Sequence, residues 1–409
     1  MPYYIYIEEV LFFIFGIIRD FWWLIALILL GLFYINLRRD YQAKAKKEKE
    51  TVKDWVVLEA KINREILQTP KAMEQVFNSL NVIGKGYLSL EIVGINREMH
   101  FIIRAPKEYK HLVTSQFYSQ YPEIEIKEIE DYFSSVAPNL PNKDFDLWGT
   151  EIIFEKANCY PIKTYSYFEE MKEEKRIDPM ASLAESFGAL ERAEWCIFQI
   201  FVRPLSKDEE EEFDLEGKKE IDDLSGKKAP KTITWVDWVG AFFRNLLVGV
   251  IEPPVWPGEE EKKESPPSEI ALSKKNKISA IEKKISQLSF KTGIRVLYIA
   301  PRPVFNEAKA LGFMAFLKQF NSKDLNAFKI NTEASTTLKT KLFQARRLFL
   351  KKRNFYQAAA QRELEQKSII LATEELATIY HFPALKIKAP TLTRVLSKKG
   401  EPPIGLPVE

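Results

Sequence analysis

The sequence predicts an α+β protein: an N-terminal transmembrane helix, then two ferredoxin-like (split β-α-β) domains, the second interrupted by a disordered, amphipathic insertion. Three observations carry this expectation. The first is a long apolar run near the N-terminus, Val10 to Asn36, charge-free from Phe21 to Ile35. The second is a β-α-β-β-α-β succession of period-two strands and amphipathic helices from Trp55 to Ile129. The third is a further set of strands and helices divided by an abrupt change to charged composition after Arg203. The expected boundaries are 1–50 for an anchor with its basic flank, 51–140 for the first α+β domain, and 141–205 with 265–335 for the second. A charged insertion fills 206–264, and 336–409 holds a long basic helix, a docking helix and a Pro-rich tail.

The apolar run is long enough for a helix crossing a bilayer core of about 30 Å. Phe21, Trp22, Trp23, Leu27, Leu30, Phe33 and Tyr34 are its anchor residues, with the amphipathic rings at the two ends. Arg38, Arg39, Lys44, Lys46, Lys47 and Lys49 follow it, which predicts a single-pass inner-membrane protein with its bulk in the cytoplasm. A cleaved signal peptide would carry its basic residues before the run, whereas Glu8 and Glu9 stand there.

Trp55 to Ile62 reads as a strand. Thr69-Pro70 opens a helix with Met73, Val76, Phe77 and Leu80 on one face. Tyr87–Val93 and Met99–Arg104 alternate with period two around a short polar turn, a hairpin. A helix from Tyr109 to Tyr121 and an alternating strand Ile124–Ile129 complete the split arrangement. Leu147–Phe154 begins the second unit, Asp178-Pro179 starts a helix, and Trp195–Val202 is a buried strand.

Ser206 to Pro230, with Glu209 to Glu212 in a row, reads as disordered. Inside the insertion, residues 234–250 form an amphipathic helix with Trp235, Trp238, Phe242, Phe243 and Leu246 on one face. A membrane surface or a partner protein fits that face, with core packing as the alternative. Ser268–Leu288 and Asn306–Phe320 are helices and Gly293–Ala300 a strand. Lys339–Gln366 is a long helix rich in Lys and Arg.

A formal charge of +3 with interleaved signs does not give the concentrated basic surface of a nucleic-acid binder. Cys159 and Cys196 read as small core residues of a reducing compartment. His100, His111 and His381 have no partner at metal-ligand spacing, so no metal or cofactor is expected. No P-loop, nucleophile elbow or H-E-x-x-H helix occurs, so no catalytic residue is assigned and an enzyme is not expected.

Leu371 to Pro383, containing EELATIYHFP, is the most distinctive stretch, and Lys398–Pro403 forms an extended tail after it. With Pro70–Phe77 and Asp146–Glu151, it resembles the membrane-anchored, largely uncharacterised module found ahead of, or beside, type IV secretion and conjugation ATPases of the TraC, TraD and HerA-like kinds. In larger relatives this helix and tail lead into a P-loop motor, whereas this chain ends at Glu409 without one. The resemblance therefore implies a scaffold that recruits a separate P-loop ATPase and oligomerises within the apparatus. The docking residues it suggests are Glu375, Ile379, His381, Phe382, Pro402 and Pro403, with packing of the helix on the second domain as the alternative. A nucleic-acid-binding role through the basic helix 339–362 is the competing function.

Overall fold

The computed structural model describes residues 54–63, 68–84, 86–136, 138–169, 178–226, 272–337, 344–363, 367–383 and 394–395, with six residues nearer the N-terminus. Those six, Trp23, Leu27, Leu30, Gly31, Tyr34 and Ile35, are helical. They belong to a unit spanning Met1–Asp54, separate from a second unit, Trp55–Glu409. Among the described residues no helix is long and apolar enough to cross a membrane. A span needs about twenty consecutive apolar helical residues, and the described part of the run does not supply them. The expected transmembrane helix, and with it the single-pass inner-membrane placement, is thereby overturned.

In the second unit the first six elements are β1 (Trp55–Asn63), α1 (Pro70–Leu80), β2 (Leu88–Ile95), β3 (Glu98–Pro106), α2 (Lys110–Gln120) and β4 (Glu125–Ile129). Pro70 sits in the first turn of α1, where its missing N–H costs nothing, and Met73, Val76, Phe77 and Leu80 line one buried face. Asn96 and Arg97, with φ of 51° and 67°, make the two-residue turn between β2 and β3. Next come β5 (Phe145–Phe154), α3 (Tyr165–Glu169), α4 (Met180–Gly188), β6 (Trp195–Pro204) and α5 (Lys207–Ser225). Then follow α6 (Leu272–Ile285), β7 (Ser289–Pro301), α7 (Glu307–Lys318), β8 (Phe328–Ile330) and α8 (Gln344–Gln361). The last are β9 (Ile369–Ala372), α9 (Thr373–Ile379) and the two-residue β10 (Arg394–Val395).

The strands form one antiparallel sheet in the order β4-β1-β3-β2-β6-β7-β5-β8, with β9 beside β7 and only β10 parallel, to β1. Each half has the 4-1-3-2 order of a split β-α-β unit. The halves meet where β2 pairs β6, from Leu88↔Val202 to Ile95↔Trp195. They are thus related by an approximate two-fold and share a sheet, rather than standing as two separate cores.

Strand alternation sends the two faces to two different cores. Leu90, Ile92, Phe101, Ile103, Phe198, Ile200, Val296 and Tyr298 face the layer built by α1, α2, α4, α7 and α9. Val57, Val93, Ile102, Leu147, Ile197, Leu297 and Ile299 face Phe355, Tyr356 and Ala359 of α8.

Part of the segment expected to be disordered is the 19-residue helix α5. Its N-terminus is a capping box, in which Ser206 Oγ accepts from the Glu209 N–H and the Glu209 carboxylate accepts from the Ser206 N–H. Gly226, at φ 74°, closes the other end in the left-handed region. Asp208, Glu209 and Glu210 in the first turn complement the helix dipole. α5 then packs on α6 through Phe213, Ile281 and Cys159.

Candidate functional site

Two polar constructions lie inside this frame. The first seats α8. Gly149 of β5 leaves room for Phe355, since a Cβ there would lie 2.1 Å from Cε1 of that ring. Asp146 Oδ1 accepts from Lys352 Nζ at 2.7 Å, and Glu151 accepts from Arg295 at 2.8 Å. The C-terminal carbonyls of α8 are satisfied by side chains of the sheet: Arg295 donates to Ala358 O and Gln199 to Ala359 O. Arg362, at φ 54° just past the helix, donates to Glu91 and clamps Asp131. Ser89 and Tyr132 donate to the same Glu91 carboxylate. Burial disfavours ionised Asp131, yet its hydrogen bonds and ion pair with Arg362 hold its carboxyl below the usual range.

The second construction is a cavity of about 370 Å³. One wall is a face of α6 carrying Asn276, Ser279 and Lys283; the other is Thr164, Ser166 and the first turn of α9. Two consecutive lysines meet two consecutive glutamates there. Lys284 Nζ lies 2.9 Å from Glu375 Oε2, with both side chains 1% exposed. Glu375 also accepts from the Ile162 and Ala372 N–H groups, at 2.8 and 2.9 Å. Burial pushes the Lys284 ammonium below its ordinary pKa, and Glu375 opposes that shift.

Glu374 accepts from Thr164, Ser166, Lys283 and Gln287. Burial raises its pKa and these donors lower it; the donors prevail, and the carboxyl titrates below its usual range. Among the described residues no group of three His, Cys, Asp or Glu is placed to hold a metal ion. Burial, with Glu216 and Glu220 nearby, pushes the Cys159 thiol up to about 12, away from a reactive thiolate.

The structure corrects the docking assignment. Glu375, Ile379, His381 and Phe382 are all buried. Phe382 packs edge-on against Phe101 and Tyr121. His381 Nδ1 donates to Ala377 O at 2.8 Å, and its Nε2 faces Asp178 Oδ1 at 3.0 Å. These side chains hold α9 between the sheet and the start of α4, so they offer no surface to a partner. Pro402 and Pro403 lie outside the described residues, as do Trp235, Trp238, Phe242, Phe243 and Leu246 of the expected interfacial helix. Of the expected anchor residues, Trp23, Leu27, Leu30 and Tyr34 are helical and exposed; Phe21, Trp22 and Phe33 lie outside the described residues.

Sequence reasoning missed Lys283, Lys284 and Arg362. Their partners lie far along the chain, and the one local sign was the doublet Lys283-Lys284 itself. The three stretches that carried the resemblance serve packing: Met73, Val76 and Phe77 in α1, the α8 seat in β5, and α9. No curated protein resembles the sequence closely enough to match it. Residues 37–394 match the family described as a domain of unknown function, DUF8128, and the chain, matched over most of its length, belongs to that family.

Proposed function

We propose that this protein is a non-catalytic interaction scaffold that recruits a separate P-loop ATPase of a secretion- or conjugation-type transfer apparatus. The partner class comes from the sequence resemblance at Leu371–Pro383. The observation that carries an interaction role is the division of α8. Its second half is tied to the sheet by Lys352, Phe355, Tyr356 and Arg362, whereas Gln344–Leu350 is exposed almost throughout. Phe349 and Leu350 stand there 42% and 47% exposed, beside exposed Arg346 and Arg347. Adjacent apolar side chains rimmed by cations suit an acidic partner face with an apolar centre.

Replacing both Phe349 and Leu350 by Ser should reduce co-purification of a co-expressed P-loop ATPase of such an apparatus at least about tenfold. The melting temperature should not move, because neither side chain is in the core. Undiminished capture of the ATPase would refute this reading. The competing reading is nucleic-acid binding through Arg346 and Arg347. It is disfavoured because Lys352 and Arg362 of the same basic stretch already serve Asp146, Glu91 and Asp131. DNA binding that falls steeply with salt and is lost on replacing Arg346 and Arg347 by Ala would establish it instead.

A further inference from the structure

We propose that the cavity between α6, α3 and the first turn of α9 binds a small zwitterion: an α-amino acid or short peptide with free ammonium and carboxylate groups. This site is independent of the exposed half of α8. Its volume of about 370 Å³ lies in the range of small-molecule sites. Its charged lining is balanced, with Lys283 and Lys284 against Glu374 and Glu375. A ligand with one net charge would leave that charge uncompensated, whereas one carrying both signs would not.

The two ion pairs differ in kind. Lys284–Glu375 is sealed, and Glu375 is further fixed by two backbone N–H groups, so this pair is a rigid part of the wall. In Lys283–Glu374 the carboxylate is 5% exposed while the lysine side chain is 58% exposed. Glu374 is oriented by Thr164, Ser166 and Gln287 whether or not Lys283 is present. The Lys283 ammonium therefore occupies a preformed ammonium position, at 2.7 Å from Glu374 Oε2, on a flexible stem that leaves toward solvent.

A ligand ammonium can take that position. The released Lys283 stays on the same α6 face as Ser279 and Asn276, four and seven residues back, where it can meet the ligand carboxylate. The exchange turns one exposed ion pair into two, and each of the four charges keeps a partner.

The test is calorimetric titration and thermal shift of the full chain with glycine, leucine, lysine, glutamate and glycylglycine, each up to ~10 mM. At least one should give a saturable isotherm and a raised melting temperature. N-acetyl-leucine, lacking the ammonium, and n-butylamine, lacking the carboxylate, should each bind at least about tenfold more weakly than the best free amino acid. Glu374→Gln should weaken binding by about 10- to 100-fold. Should that variant fold poorly, Ser279→Trp serves in its place. Ser279 is exposed on α6, so the indole fills the cavity mouth without entering the core, and binding should be lost in a protein of unchanged circular dichroism. The proposal is overturned if no member of the panel binds, if N-acetyl-leucine or n-butylamine binds as well as the free amino acids, or if folded Ser279→Trp retains wild-type affinity.

Discussion

Gly149 shows how much of this fold rests on single positions. On β5 it faces α8, and the Phe355 ring fills the space a side chain would take. Thr336 Oγ1 donates to the Gly149 carbonyl and accepts from its N–H, so the strand cannot move aside freely. Gly149→Ala should therefore force the ring away from its seat and destabilise the protein by ~1–3 kcal/mol, the usual cost of overpacking. Chemical denaturation of the variant measures this directly, and an unchanged midpoint would show that α8 is not seated as described. Read in the sequence, Gly149 was simply part of a strand. Its partner is about two hundred residues away, and no local pattern reports such a neighbour. Glu375, expected to dock a partner, is buried for a related reason: the lysine that pairs with it, Lys284, sits on α6, about ninety residues earlier.

At the scale of elements, α5 is the instructive case. Its composition reads as disorder, since a run of acidic residues with few apolar ones cannot bury enough surface to offset chain entropy. Its end signals say otherwise: Ser206 with Glu209 three residues on, and Gly226 beyond the last turn. Local capping chemistry and sparse burial of Phe213 and Gly217 suffice once α6 packs alongside, and that packing is not visible before the fold is known. Glu209 ties the cap to the sheet, accepting from Arg203 on β6 and from Lys291 on β7. Burial works against its ionisation, but the hydrogen bonds from Arg203, the Ser206 N–H and Lys291 outweigh it and bring its pKa from an ordinary 4.5 down to about 2. Since the folded-state value is the lower one, the stabilisation is complete above the unfolded value and fades as pH falls from about 4.5 toward 2. After allowance for partial exposure it amounts to ~2 kcal/mol. The wild-type melting temperature should fall across that window more than that of Glu209→Gln. Parallel curves for the two proteins would contradict this account of the cap.

The period-two strands and the succession of elements made the first split β-α-β unit readable from the sequence; of the second, three strands were readable and the three-residue β8 that completes it was not. The joining of the two units was not readable either, because strand edges carry no sequence label for their neighbour, and β2 and β6 are buried along nearly their whole length whichever strand lies beside them. The joining has a thermodynamic consequence for the whole molecule. The expected first domain, residues 51–140, ends before β6 and α9. Without β6, the entire β2 edge from Leu88 to Ile95 loses its partner. Without α9, the rings of Phe77, Phe101, Phe117 and Tyr121 lose their packing against Tyr380 and Phe382. Each such aromatic side chain contributes ~1.5–3 kcal/mol by burial. A domain typically has only ~5–15 kcal/mol of net stability. Glu91, moreover, would lose Arg362, and the face of Val57, Val93 and Ile102 that α8 covers would be opened to water. These losses together exceed what a unit of this size can bear. The 51–140 fragment should therefore show no cooperative melting and a collapsed amide spectrum, and its open β2 edge should make it aggregate. The chain from residue 51 to 409 should instead melt its sheet in a single transition, with calorimetric and van't Hoff enthalpies in agreement. A dispersed spectrum and a cooperative transition for the isolated fragment would show that the two halves fold independently, and that the β2–β6 ladder is a contact between finished domains.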